Sequence, residues 1–134
     1  MSSRSVPDAS VIPVLAYPSV GEAADWLGSA FGFRLRLRVG DHRAQLVYGD
    51  GAVIVVQGDE EPAGHSLHVR VDDADAHHGR VAAAGASIVS APADYPYGER
   101  QYTAEDHVGR RWTFSQSIAD VDLADWSGTL VDDG

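Results

Sequence analysis

The chain states one structural sentence twice, and that repeat constrains its fold more than any other feature. Residues 11–56 read as a strand over Val11–Tyr17, a helix over Val20–Phe31 and a glycine at Gly32. A strand over Phe33–Val39 follows, then Ala44–Tyr48, the turn Gly49-Asp50-Gly51 and a last strand over Ala52–Val56. Residues 66–116 repeat the order: strand Ser66–Val71, helix Ala74–Ala84, Gly85, strand Ala86–Ser90, strand Arg100–Ala104, a turn ending at Gly109 and strand Arg110–Gln116. The helix-ending glycines stand 53 residues apart, and Gly51 and Gly109 stand 58 apart. Two copies at this spacing imply a duplicated βαβββ module and not a solenoid. The fold class is therefore α+β. Duplicated modules often hold their ligand between the copies, so the repeat also says where to look for function.

Local chemistry supports each element. Ser19 can cap the first helix, with Glu22 three residues on as a capping box requires. Ala23, Trp26, Leu27, Ala30 and Phe31 fall on one helical face. Phe33, Leu35, Leu37 and Val39 alternate with Arg34, Arg36 and Arg38, so the apolar set is expected to face the helix and the arginines the other side. Leu67, Val69 and Val71 alternate with Ser66, His68 and Arg70 in the same way. Asp72 or Asp73 can cap the second helix. Residues 91–98 contain two prolines and read as a loop or irregular edge. The domain reading is a disordered N-terminus at 1–10, one domain over 11–118 and an acidic tail over 119–134 in which Trp126 is a possible anchor. The modules span 11–57 and 65–118, joined by a polar linker at 58–64.

Composition excludes several functions. A net charge of −10 argues against a nucleic-acid surface. The absence of cysteine removes disulfides, thiolate metal sites and a cysteine nucleophile. Apolar runs such as Ala52–Val56 are too short to span a membrane. The expectation is a cytoplasmic protein with no nucleic-acid and no membrane partner. No P-loop, dinucleotide fingerprint or nucleophile elbow is present.

Four stretches carry a family resemblance: Ala30-Phe31-Gly32-Phe33; Val71-Asp72-Asp73-Ala74-Asp75-Ala76 with Ala84-Gly85-Ala86; Pro96-Tyr97-Gly98-Glu99-Arg100; and Asp106-His107-Val108-Gly109-Arg110-Arg111-Trp112-Thr113-Phe114. In this order and spacing the chain resembles the vicinal oxygen chelate superfamily, which includes glyoxalase I, the bleomycin-resistance proteins and the extradiol dioxygenases. The last stretch departs from the usual Asp-Pro-x-Gly by placing His107 at the proline. The resemblance implies paired sheets curled into an open cleft, often in a homodimer. It also implies a divalent metal held by His, Gln or Glu at four positions, two in each module.

Carried onto this chain, those positions are Pro13, Val55, Ser66 and Thr113. None supplies the imidazole or carboxylate that a catalytic divalent site requires. A one-residue shift brings in Ile12, Val14, Ile54, Val56 or Trp112, or else Leu67 or His65. His65 and His68 are three apart on a strand and point to opposite faces, so they do not chelate one ion together unless the strand breaks. No metal and no other cofactor is expected, a divalent metal being the alternative.

His68 is the candidate catalytic residue, as a base titrating near neutrality, and otherwise a hydrogen-bonding group in the cleft. Ser66, His68, Arg70, Arg111 and Thr113 are expected to line the cleft. Tyr97, Arg100 and Tyr102 supply the aromatic and polar mixture of a small-molecule site. Arg36 and Arg38 could recognise a carboxylate or phosphate, or form an exposed face. Trp112 and Phe114 read as core, His77 and His78 as helix-surface residues, and His107 as an exposed turn residue. Glu99 and Asp106 are the acids nearest the expected cleft, Asp106 as a turn former. The functional expectation is a metal-free, homodimeric binder of a small organic molecule, such as an antibiotic or other metabolite. The alternative is an enzyme of the same family, a lyase, isomerase or dioxygenase, using a metal or His68.

Overall fold

The structure, a computed structural model, describes residues 9, 11–59 and 66–120. His65, Trp126, most of the expected N-terminal segment and linker, and the acidic tail beyond Asp120 lie outside the described residues. The chain divides into two compact units, Met1–Ala63 and Gly64–Gly134.

The first unit contains β1 (Val14–Tyr17), α1 (Val20–Trp26), β2 (Arg34–Val39), β3 (Arg43–Tyr48) and β4 (Gly51–Gln57). Its four-stranded sheet has the order β1-β4-β3-β2, with β1 and β4 parallel and the other pairs antiparallel. Ser19 caps α1 by accepting the Glu22 N–H at 3.2 Å. The helix does not run evenly to Phe31. It ends at Trp26 and continues as one π-helical turn over Leu27–Phe31, closed by Gly32 at φ +88°. The buried face of α1 and the π turn is Val20, Ala23, Ala24, Leu27, Ala30 and Phe31. The Trp26 ring meets Phe31 edge-on at 4.9 Å. Opposite lie Leu15, Tyr17, Ala44, Leu46, Val53 and Val55, all buried. Each large side chain of such a core contributes about 1.5–3 kcal/mol.

Strand β2 departs from the strict alternation of its sequence. Its register against β3 shifts between Leu35 and Leu37, which leaves Arg36 as the extra residue of a bulge. An inserted residue reverses the side of every residue after it. Leu37 and Val39 therefore leave the helix side and are exposed at 37% and 43%. Arg38 moves onto the helix side: a Cβ built on Gly21 of α1 would come within 2.9 Å of Arg38 Nη2. The expectation that three arginines share one face is thus corrected by the bulge.

The second unit contains β5 (Ser66–Arg70), α2 (Ala74–Ala83), β6 (Ser87–Tyr95), β7 (Glu99–Glu105) and β8 (Arg111–Ser117). Its sheet order β5-β8-β7-β6 repeats the first, with β5 and β8 parallel. Asp73, and not Asp72, caps α2 by accepting the Ala76 N–H at 3.0 Å. The Ala74 N–H donates to Gln116 Oε1 at 2.9 Å, tying the helix start to β8.

Of the two sequence readings of residues 91–98, loop or irregular edge, the second holds for 91–95, which continue β6 as the edge of the sheet. Two register shifts, between Ile88 and Ser90 and between Ser90 and Ala93, accommodate Pro92. An edge strand tolerates proline because one of its sides needs no ladder hydrogen bonds.

The turn between β7 and β8 closes on Gly109 at φ +89°, where an added Cβ would meet nothing within 4 Å. Gly109→Ala therefore probes backbone strain alone. It is expected to cost about 1–2 kcal/mol, read as a lower urea midpoint with an unchanged slope. Among the described residues no helix is long and apolar enough to cross a membrane.

Candidate ligand-binding face

Strand pairing sorts the second sheet into two faces, because directly opposed residues project to the same side. On one side Leu67, Trp112, Ala104 and Ile88 form a row, and Val69, Phe114 and Tyr102 the next. Helix α2 covers this side. The His77 ring lies 4.4 Å from Phe114, and His77 Nδ1 is hydrogen-bonded to the Tyr102 hydroxyl at 2.5 Å. His77 is therefore half-buried in the helix–sheet layer, where the sequence pattern had suggested a surface residue.

The other side is polar in every row. Ser66, Arg111, Glu105 and Ser87 share the first row, and His68, Thr113, Thr103 and Ser90 the second. Arg70, Ser115 and Gln101 share the third, with Ala93 at its β6 end, and Ser117, Glu99 and Tyr95 share the fourth. The hydroxyls of Thr103 and Thr113 are hydrogen-bonded at 2.9 Å. Gln101 Nε2 donates to Ser115 Oγ at 3.0 Å, and the Tyr97 hydroxyl donates to Gln101 Oε1 at 3.1 Å. Ser115 Oγ donates to Glu99 Oε1 at 2.5 Å, and Ser117 Oγ to Glu99 Oε2 at 2.7 Å. The rings of Tyr95 and Tyr97 stack at 5.5 Å and 14° beside this network.

Glu99 is the charged centre of the network. Its carboxyl is held below the ordinary value of 4.5, first by the Ser115 hydrogen bond and then by that of Ser117, with the charges of Arg70 and His68 adding and burial opposing. Burial, and then the charges of Tyr95 and Glu99, push the Tyr97 phenol up. The depressed carboxyl links folding to pH. A group whose folded pKa lies below its unfolded one stabilises the fold above the unfolded value and loses that contribution as pH falls through the folded value. Urea midpoints measured from pH 7 downward should therefore fall below about pH 4.5. Glu99→Gln should show a smaller fall over that window.

The sequence-predicted residues divide between the two sides. Ser66, His68, Arg70, Arg111 and Thr113 share the polar side, and Tyr97 reaches it through Gln101. Tyr102 and Arg100 do not. Tyr102 is 1% exposed and stacks on Phe114 at 5.2 Å. Arg100 donates to Asp75 of α2 at 3.0 Å and to Asp94 at 2.8 Å. In the first unit Arg38 donates to the Gly40 carbonyl at 2.9 Å and to Asp41 at 3.1 Å. Arg36 Nη1 donates to Gln45 Oε1 at 2.5 Å, at the bulge. Glu99, Gln101, Thr103, Ser115 and Ser117 are the hydrogen-bonded residues of this face that the sequence-predicted set omits. Their signal is the alternation of Glu99, Gln101, Thr103 and Glu105 with Arg100, Tyr102 and Ala104. It is visible once the strand is begun at Glu99 and not at Arg100.

The positions that the resemblance assigns to metal ligands do not fit a divalent ion. Val55 is a fully buried hydrocarbon that shares the helix side with Leu15. The first-unit residue on the side away from the helix is Ile54, opposite Val14, and the Ile54 N–H donates to the Pro13 carbonyl at 2.9 Å. In the second unit Ser66 and Thr113 offer only hydroxyls, and that of Thr113 is bonded to Thr103. Neutral hydroxyls and hydrocarbon do not replace the imidazole and carboxylate donors of catalytic sites. No group of three or more His, Asp or Glu able to hold a metal occurs among the described residues.

The model of the Glyoxalase/Bleomycin resistance protein/Dioxygenase superfamily matches residues 11–114. TioX from Micromonospora sp. ML1 is similar in structure, with TM-score 0.72 and 38% identity over 81% of this chain and 98% of that one. A glyoxalase/bleomycin resistance protein/dioxygenase from Nocardioides superposes at TM-score 0.67 with 19% identity, over 97% of this chain and 92% of that one. At that identity the likeness is one of fold. An uncharacterized protein of Mycobacterium bovis is 29% identical over 69 residues, which make up 52% of this chain and 45% of that protein. The match thus spans less than half the length of this curated relative.

Proposed function

Because the chain belongs to the glyoxalase/bleomycin resistance protein/dioxygenase superfamily, we propose that it is a metal-free, homodimeric binder of a small organic molecule, such as an antibiotic or other metabolite, and that the polar face of the second sheet is its ligand surface. One observation carries the reading. Where the family resemblance would place metal ligands, the second unit has the hydroxyls of Ser66 and Thr113, set in a sheet face of hydrogen-bonding side chains. A face of this kind can orient a ligand through many weak directional contacts.

The network behind the face supports binding in a second way. Gln101 bonds to Ser115 and Ser115 to Glu99, and Thr103 bonds to Thr113, so ligand binding need not order them. Groups fixed in advance lower the entropy lost on association.

Incubation of the full chain with nickel, cobalt, zinc, manganese and iron salts, followed by desalting and elemental analysis, tests the reading. Metal well below one equivalent per chain is expected in every case. A tightly held equivalent of one metal, with turnover that depends on it, would overturn the proposal. His68→Ala separates the remaining enzymatic reading: turnover on a panel of candidate substrates that disappears in this variant would make His68 an acid/base catalyst.

A further inference from the structure

We infer that the ligand of the polar face is an organic carboxylate, and that Arg70, assisted by His68, recognises its anionic group; this rests on the proposed binding role of that face. The polar face is divided in how its hydrogen-bonding capacity is used. On β7 and β8 the side chains are committed to each other: Thr103 to Thr113, Gln101 to Ser115, and Glu99 to Ser115 and Ser117. Arg111 lies 3.8 Å from Glu105. On β5, Ser66, His68 and Arg70 project from the same face, are exposed, and have no hydrogen-bond or ion-pair partner among the described residues. Ser87 and Ser90 of β6 also keep uncommitted hydroxyls, but among the described residues Arg70 on β5 is the one guanidinium of this face with no hydrogen-bond or ion-pair partner.

The repeat sharpens the point. The corresponding strand of the first unit, β1, presents Val14 and Ala16 on its equivalent side. The free polar row therefore belongs to the second unit and is not a general property of the module.

The chemistry of the row selects the class of ligand. A guanidinium offers a planar fork that matches the two oxygens of a carboxylate. A phosphate dianion is usually met by several cations or by a helix N-terminus. On this face, among the described residues, there is one guanidinium without a partner, and the start of α2 is already capped by Asp73. The charges of Glu99 and Arg70 act on each other, but the two are not within salt-bridge distance and the Glu99 oxygens are occupied by the serine hydroxyls, so the guanidinium fork keeps its donors for a ligand.

Titration of the full isotope-labelled chain by NMR with 2-naphthoate, 2-naphthamide and inorganic phosphate tests the inference. Naphthoate should shift the resonances of His68, Arg70 and Thr113. It should bind at least about tenfold more tightly than the amide, which is about 1.4 kcal/mol, and more tightly than phosphate. Arg70→Gln should remove that preference while leaving the urea midpoint unchanged, because Arg70 is exposed. Equal binding of naphthoate and naphthamide on this face overturns the carboxylate assignment and leaves the binding role standing. Phosphate binding as tight as naphthoate overturns it too. Shifts that map elsewhere, or no shift with any probe, overturn the assignment of Arg70.

Discussion

Asp106→Ala is expected to lower stability by about 3–5 kcal/mol, the range for stranding a set of buried donors. Asp106 is 5% exposed and holds the β7–β8 turn from inside. Its Oδ1 accepts the N–H groups of Val108 at 3.1 Å and Arg110 at 3.0 Å, and its Oδ2 accepts the Trp112 indole N–H at 3.0 Å. The Asp106 N–H donates to the Arg110 carbonyl at 2.9 Å, closing the turn. Alanine leaves all three donors without their acceptor and opens space beside Trp112. Asp106→Asn keeps one carbonyl oxygen but turns an amide toward donors, so it should fall between wild type and alanine. Urea unfolding at pH 7 reads both. A loss under about 1 kcal/mol for alanine would mean that water replaces the carboxylate at little cost.

Phe114→Ala is expected to cost a similar amount, about 3–5 kcal/mol, as large-to-small changes in cores do. Phe114 is fully buried, stacked on Tyr102 at 5.2 Å and in tilted contact with the His77 ring at 4.4 Å. The variant gains its meaning beside Thr113→Val, one residue away on the opposite face. Thr113→Val keeps the shape, loses the hydroxyl pair with Thr103 and should cost under about 1 kcal/mol. A large loss for Phe114→Ala and a small one for Thr113→Val is the signature of a strand with one core side and one open side. Equal losses would mean that both sides are packed, which would contradict the assignment of the polar face as a ligand surface.

The fold was legible because its signals are local and repeated. Ser19 and Asp73 cap the helices, Gly32 and Gly85 adopt the left-handed backbone that ends them, and alternation marks β5 and β8. What escaped the sequence depends on events that leave no pattern. The bulge at Arg36 follows from pairing with β3, and nothing in the alternating Arg-Leu run announces it. The prolines at 92 and 96 left loop and irregular edge open, and only pairing with β7, through two register shifts, decides for the edge at Pro92. The candidate face was half visible. Ser66, His68, Arg70, Arg111 and Thr113 follow from alternation, whereas Tyr102 looks like a site aromatic until its pairing with Phe114 assigns it to the helix side. Glu99 gained its place only when Ser115 and Ser117 of β8 came to face it.

Native mass spectrometry of the full chain, purified from its own cells without added ligand or chelator, tests the central claim most directly. The account predicts a dimer that retains an organic molecule, close to one per chain, and carries no stoichiometric divalent metal. A chain that carries one divalent metal per copy and no organic molecule would contradict it.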